Sequence, residues 1–460
     1  MPRVVVVSNA APPGFIDDLY AAVGHAAVVT DPDLALRYRF DRAGTVVPGS
    51  PVAVVRPAST AEVASVVRVA AAHGIAIITR GAGTGLSGGS AARDGALTLS
   101  LDRMRSIHID RESMLAVVQP GALNAEVKRE AAANGLWYPP DPSSFEICSI
   151  GGNLATNAGG LCCVRYGVTT DYVAALEVVL ADARVVRLGG RTVKDVAGLD
   201  LKRLFVGSEG ALGVITEATL RLRPPQPPVA TIAATFDDVS AAGSAVCAVV
   251  GALRPSALEL MDAGAIRAVE AVRSVGLGDA EAVLLAQVRV EGDDRGTVVR
   301  AFEAAGATYV ASTDDADEGE LLMGARRMAI PCVERLGSVM IEDVGVPIPR
   351  IPDLLAAVRG ISHRAGIAVP VIGHAGDGNF HPLVTFDAAD RDAADRAQAV
   401  FDEIMRAALA LGGTITGEHG VGRLKSHLLA DQLGPDVMDL TRRIKAALDP
   451  NGLLNPGTWI

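Results

Sequence analysis

The chain is poor in positive charge, in cysteine, in histidine and in long apolar runs, and each shortage excludes something. Lys and Arg number 42 against 53 Asp and Glu, a net charge of −11. That balance gives nucleic-acid binding no electrostatic support. A small anionic substrate is still allowed, because a few cations in one pocket suffice. The five cysteines are Cys148, Cys162, Cys163, Cys247 and Cys332, with no C-x-x-C spacing among them. An odd count without a framework points to a reducing compartment, and it argues against an iron–sulfur cluster in this chain. The apolar run Val4–Val7 is too short for a signal segment and is broken from Asn9 to Gly14. Ala241 to Leu253 is more apolar, but it contains Gly and Ser and is shorter than a membrane span, so it reads as a buried helix. A soluble, cytoplasmic chain is expected, with peripheral docking on a membrane left open. Aromatics are only 4% of the chain, so Ala, Val and Gly must carry most of the core.

What is present is length and glycine. The 460 residues are enough for two domains or more. Val52–Val55 reads as a strand, Ser59-Thr-Ala-Glu62 as a capping box, and Val63, Val66, Val67 and Ala70 recur at helical spacing up to Gly74. Ile75–Ile78 is then a second strand. It runs into Arg80-Gly-Ala-Gly-Thr-Gly-Leu-Ser-Gly-Gly89. A nicotinamide-type fingerprint needs a helix to open at these glycines. Instead, Ala96–Leu101 alternates like a strand, so that reading is weak. Such a loop still exposes backbone N–H groups that can cradle a pyrophosphate.

Two further glycine-rich loops follow, from Ser149 to Gly160 (after Pro139–Ser144) and from Val206 to Thr216. Small residues of this kind let a flat ring lie against the backbone. Three such loops are hard to explain as ordinary turns. Pro224-Pro-Gln-Pro-Pro228 marks a domain boundary. Alternating patterns beyond it (Ala241–Leu253, Ala282–Val290, Thr297–Ala305) predict an α+β domain. Val421–Leu448 reads as helical.

Three of the eight histidines fall in two short motifs, His374-Ala-Gly-Asp-Gly-Asn-Phe-His381 and Glu418-His419. The turn chemistry between His374 and His381 predicts a hairpin, Ala368–His374 with Phe380–Thr385, that brings both rings to one mouth. Two loop histidines with a structural role are the alternative. With Glu418 added, two histidines and a carboxylate make a metal site with open positions. His419, beside it, supplies a base. In Thr416–Gly422 the acid could instead serve a helix N-terminus, but the flanking glycines favour close backbone approach. Zinc is the favoured ion, with Fe²⁺ or Mn²⁺ also suited.

These motifs resemble a known family. Arg80–Gly89, Ser149–Gly160 and Val206–Thr216 are similar to the FAD-binding segments of vanillyl-alcohol-oxidase (PCMH) type flavoproteins. Gly373–His381 with Gly417–Gly422 resembles one branch, the FAD-linked D-2-hydroxyacid dehydrogenases. That branch includes D-lactate dehydrogenase, the glycolate oxidase flavin subunit and D-2-hydroxyglutarate dehydrogenase. The likeness runs from about Pro48 to Gly457. It implies an α+β enzyme with a lead-in over 1–47, a two-subdomain FAD-binding domain over 48–225, a substrate cap domain with an antiparallel sheet over 226–412, and a returning segment over 413–460. It implies non-covalent FAD, since Arg80–Gly89 has no histidine to carry a link. The implied FAD contacts are Arg80, Gly81, Ala82, Gly83, Thr84, Gly85, Pro140, Asp141, Ser144, Ser149, Gly151, Gly152, Asn153, Thr156, Asn157, Gly159, Gly160, Glu209, Gly210, Val214, Ile215 and Asn455. It also implies metal binding by His374, His381 and Glu418, base catalysis by His419, and capture of a substrate carboxylate by Arg326.

The departures narrow the substrate. D-2-hydroxyglutarate enzymes carry polar anchors where this chain has Ile330, Ile341 and Leu383. A second buried carboxylate there would lack partners. A small 2-hydroxyacid, D-lactate or glycolate, is therefore expected, with hydride transfer to flavin N5. D-2-hydroxyglutarate, or a role as the flavin subunit of a glycolate oxidase-like complex, is the alternative. Leu199 and Ala211 stand where the family often has Tyr and Thr. The electron acceptor is expected to be external: a quinone, an electron-transfer flavoprotein or an Fe–S subunit. A homodimer is compatible with all of this. A metal-dependent hydrolase would leave three glycine loops idle, and an inactive flavoprotein would not need Glu418-His419.

Overall fold

The protein is described from a computed structural model covering residues 11–460. The Val4–Val7 run lies outside the described residues. The described residues divide into two compact units: residues 11–158, 168–225 and 419–460 form one, and residues 159–167 and 226–418 form the other. The change of unit at Pro225/Gln226 falls within the proline-rich stretch.

The first unit holds two sheets. Strands Ala53–Val55, Leu97–Ser100 and Ile77–Arg80 lie parallel, with Val28–Val29 added antiparallel at one edge. The crossover from Ala53–Val55 to Ile77–Arg80 is the helix Thr60–His73. Its N-cap Ser59 accepts from the Glu62 N–H at 3.2 Å, and the Glu62 carboxylate accepts from the Ala58 N–H at 2.8 Å. Val63, Val66, Val67 and Ala70 face the core beside Phe15 and Leu19 of the helix Phe15–Val23. The second sheet is antiparallel and five-stranded, with the long strand Val214–Arg221 between Leu115–Val118 and Val173–Val179. Helix Asn124–Ala133 shares its core through Val127 and Ala131. The C-terminal segment joins the first sheet through a parallel bridge between Leu454 and Ile77.

The second unit is built on an eight-stranded antiparallel sheet. Its centre is buried on both faces and mostly apolar, Glu259 excepted: Ala282–Arg289 and Ala257–Asp262 are buried almost throughout. Helices Val239–Ala252, Ile351–Ala365 and Arg391–Ala410 follow in the same unit. The first is the apolar stretch read as a buried helix.

Two segments differ from the sequence reading. Residues 150–156, read as part of a loop, are a helix, Ile150–Thr156. Ser149 caps it by accepting from the Gly152 N–H at 3.3 Å. The cap outweighs the poor helix propensity of Gly151-Gly152-Asn153. Conversely, helix does not begin at Val421. Residues 421–425 are irregular and the long helix is Leu429–Leu448, broken at Gly434. The reason is local: the Val421 and Gly422 N–H groups donate to the Glu209 carboxylate at 2.8 and 2.9 Å rather than into a helix.

Candidate active site

The predicted hairpin is present as Val371–His374 paired with Asn379–Phe386. His374 stands opposite Asn379, and His381 opposite Ile372. Cross-strand partners share a face, and so do residues two apart on one strand. His374 and His381 are therefore diagonal neighbours on one face, with ring centroids 5.2 Å apart. The turn depends on Gly378, whose φ is +82° and where a Cβ would meet the Val346 carbonyl.

Glu418 comes to the same face from the other side of the sequence. Asp343 places it: this fully buried carboxylate accepts from the Thr416 hydroxyl at 2.5 Å, the Gly417 N–H at 2.9 Å and the Glu418 N–H at 3.1 Å. Glu418 Oε1 then lies 3.3 Å from His374 Nε2 and 3.3 Å from His381 Nε2. Each ring's other nitrogen is engaged. His374 Nδ1 lies 2.9 and 3.0 Å from the two oxygens of Glu259, and His381 Nδ1 lies 3.1 Å from the Glu342 carbonyl. With Nδ1–H donating, each Nε2 would present a lone pair to a cation that took the place of its proton. Three acceptor atoms thus converge. Ligands at about 2.0–2.1 Å in a tetrahedral site stand about 3.3–3.4 Å apart. The donor set, two imidazole nitrogens each 3.3 Å from one carboxylate oxygen, suits a divalent cation. Asp343, His381 and Glu418 also keep ligand atoms within 4.8 Å of one another. Both oxygens of Asp343 are occupied by the Thr416–Glu418 backbone and hydroxyl.

The electrostatics agree. Burial alone would lower the His374 pKa, but the charges of Glu259 and Glu418 outweigh it and raise it well above the ordinary value. Burial would raise Glu418, but His374 and His381 hold it well below the usual carboxylate range. Such a site stabilises positive charge. Arg326, in the last turn of helix Ala316–Arg327, is 2% exposed, with Nη2 3.0 Å from Glu259. Its Nε is buried without a hydrogen-bond partner. A desolvated guanidinium with an unused donor suits a carboxylate ligand. His419 follows Glu418 in the chain, and its carbonyl accepts from the Ser87 hydroxyl at 3.1 Å.

In the first unit the Arg80 loop and Ser149 are one cluster. The Ala82 N–H donates to Ser149 Oγ at 3.2 Å, and a side chain at Gly81 would collide with that oxygen. Asn455, at φ +41°, donates to the carbonyls of Gly89 at 3.0 Å and Glu209 at 2.7 Å, and it lies beside Gly210 and Thr79. Thr79 Oγ1, Asn153 Nδ2 and Asn455 Oδ1 are buried with no protein partner. Such atoms normally find one. Their position among the glycine loops fits a polar cofactor such as FAD. The remaining residues of the segment are placed differently. Gly159 and Gly160 belong to the second unit, and Gly159 lies against Glu418 and Cys163. The Glu209 side chain is turned to Val421 and Gly422.

Sequence reasoning missed Glu259, Glu342 and Asp343. A signal existed: Glu259 is the one charged residue inside the apolar run Ala257–Met261, and Glu342-Asp343 directly follow Val339-Met340-Ile341.

Comparison with known proteins fits this geometry. Residues 226–459 match the family described as FAD linked oxidases, C-terminal domain, and residues 51–189 match an FAD binding domain. The glycolate oxidase subunit GlcD of Bacillus subtilis is 40% identical, over 88% of this chain and 88% of its own length. The D-lactate dehydrogenase of Archaeoglobus fulgidus is 34% identical, over 91% and 94%. Among solved structures, p-cresol methylhydroxylase superposes with a TM-score of 0.83 at 19% identity, covering 98% of each chain. The 4-ethylphenol oxidase from Gulosibacter chungangensis gives 0.80 at 20%, covering 100% of this chain and 98% of its own. The fold is thus the p-cresol methylhydroxylase (PCMH) type expected from the glycine segments, and the chain belongs to the FAD-linked oxidases, a family of flavin-dependent oxidoreductases.

Proposed function

We propose that this chain oxidises a small 2-hydroxyacid, D-lactate or glycolate, to the 2-oxoacid, using FAD and a divalent cation. The observation that carries the proposal is that His374 Nε2 and His381 Nε2 each lie 3.3 Å from the same oxygen, Glu418 Oε1, in the residue preceding His419. The names of the relatives supply the substrate class. When bound, FAD accepts two electrons and the cation acidifies an alcohol it contacts.

The chain's own residues then have distinct tasks. His374, His381 and Glu418 hold the cation. Arg326 binds the substrate carboxylate with the donors that Glu259 leaves unused. The imidazole of His419 takes the proton from the 2-hydroxyl oxygen. Arg80, Gly81, Ala82, Ser149, Asn153 and Asn455 hold the flavin nucleotide. Ile341 and Leu383 are buried and apolar, which disfavours a second carboxylate and hence D-2-hydroxyglutarate. Reoxidation needs an external acceptor, a quinone, an electron-transfer flavoprotein or an Fe–S subunit. A role as the flavin subunit of a larger complex is the second reading, favoured by the subunit status of the glycolate oxidase relatives.

The test is the anaerobic visible spectrum of purified protein before and after a panel of D- and L-2-hydroxyacids. Bleaching of an oxidised-flavin band by D-lactate or glycolate is expected. A flavin band that no hydroxyacid bleaches would overturn the substrate class.

A further inference from the structure

Glu259 sits where a charge is expensive. It lies in the middle of the strand Ala257–Asp262, is 1% exposed, and has apolar neighbours on either side. That strand pairs with the hairpin strand in the register Leu260–Gly373 and Met261–Ile372. Continuing the register places Glu259 opposite His374, on the same face of the sheet. Both of its oxygens lie 2.9–3.0 Å from His374 Nδ1, and one also lies 3.0 Å from Arg326 Nη2. One carboxylate therefore serves two groups that the proposed function uses separately.

We infer that Glu259 is a positioning residue for the cation site. It accepts the Nδ1–H of His374 and so fixes the tautomer and ring orientation that aim the Nε2 lone pair at the cation. The inference rests on the proposed cation-dependent reading. The rival explanation is narrower: Glu259 is only the counter-ion that makes a buried Arg326 tolerable. An acid that merely balanced Arg326 would have no need to stand in register with His374. Outer-shell acceptors of this kind typically change metal affinity by about 10–100-fold when removed.

The two explanations separate in an Arg326→Met background, where no change at position 259 leaves a buried guanidinium unpaired. The measurement is zinc affinity of FAD-loaded protein, by competition with a fluorescent chelator. Flavin absorbance and the thermal transition serve as checks on folding. Arg326→Met alone should bind zinc within about 3-fold of the unchanged protein, since His374 keeps its acceptor. Arg326→Met with Glu259→Leu should bind about 10–100-fold more weakly. Arg326→Met with Glu259→Gln should recover most of that loss, because the amide oxygen still accepts the Nδ1–H. Equal zinc affinity in the Leu and Met-only proteins would overturn the inference and leave the cation site standing. A Gln variant as weak as the Leu variant would also overturn it, by showing that charge and not the acceptor matters. If the unchanged protein takes up no zinc, iron or manganese, both the inference and the reading beneath it fall. If the Leu variant fails to fold, Arg326→Met with Glu259→Met, which also lacks an acceptor, takes its place with the same two outcomes.

Discussion

At the scale of single residues, the site assigns different work to neighbours. Glu418 is committed to the two imidazoles, with its backbone fixed by Asp343. In the proposed reaction His419 takes the proton. His419→Ala should therefore lower kcat by about 10²–10⁴-fold while bound metal and flavin stay at wild-type stoichiometry. Turnover within a few-fold of wild type would remove His419 from the mechanism. Glu209 makes a different prediction, one about pH. Burial lifts its pKa from the ordinary 4.5 to about 7, only partly offset by the N–H groups of Val421 and Gly422 and by Lys425. Between those values the folded chain holds a proton that the unfolded chain has released. The stabilisation is fully present below about pH 4.5 and is lost as pH rises through about 7. The slope approaches about 1.4 kcal/mol per pH unit where the two states differ by a whole proton. Glu209→Gln removes the titration, so its stability should vary less with pH across that window, whatever its absolute value. Parallel denaturant-midpoint curves for the two proteins from pH 5 to 7 would contradict the assignment.

At the scale of elements, the two histidines proposed as metal ligands depend on the register of one hairpin. Residue spacing alone puts His374 and His381 on opposite faces of a continuous strand; the turn at Ala375–Gly378 puts them on one face. Gly378→Ala forces a left-handed backbone onto alanine and a methyl group into the Val346 carbonyl. The expected result is a loss of metal affinity of at least about 10-fold, as for a lost outer-shell support, with the flavin spectrum retained. Unchanged metal content would mean that the turn tolerates relaxation and that the register is held elsewhere. This hairpin was legible because turn residues between apolar flanks specify it locally. The strand–helix–strand unit around Ser59 and Glu62 was legible for the same reason. The helix Ile150–Thr156 was not, because Gly151-Gly152-Asn153 is a poor helix sequence whose conformation is set by the Ser149 cap and by packing. Nor was the irregular path of residues 421–425, whose N–H groups are taken by Glu209 from 212 and 213 residues away. Glu259 shows the limit most clearly. An acid in an apolar strand is visible in the sequence, but its partner His374 lies 115 residues on, and only strand register brings the two together.

At the scale of the whole molecule, the residues proposed to hold the two cofactors fall largely into different compact units. Arg80, Ser149, Asn153 and Asn455 belong to one, and His374, His381, Glu418, Glu259 and Arg326 belong to the other. Each set is supported by its own unit's contacts. The proposed cation ligands are fixed by strand register and by Asp343, and the glycine loops by Ser149 and Asn455. Metal and flavin should then be separable. Treating the purified enzyme with a strong chelator should remove the divalent cation and abolish most hydroxyacid-dependent flavin bleaching, while leaving the oxidised-flavin band at full intensity. Adding back zinc, iron or manganese singly should restore bleaching, and the ion that restores it fastest identifies the working metal, since two histidines and a glutamate do not discriminate strongly among them. Flavin released in step with the metal would show that the two sites are one cooperative unit. Full bleaching by metal-free protein would leave the His374–His381–Glu418 cluster a structural knot, and would leave FAD and His419 to carry the oxidation without a cation.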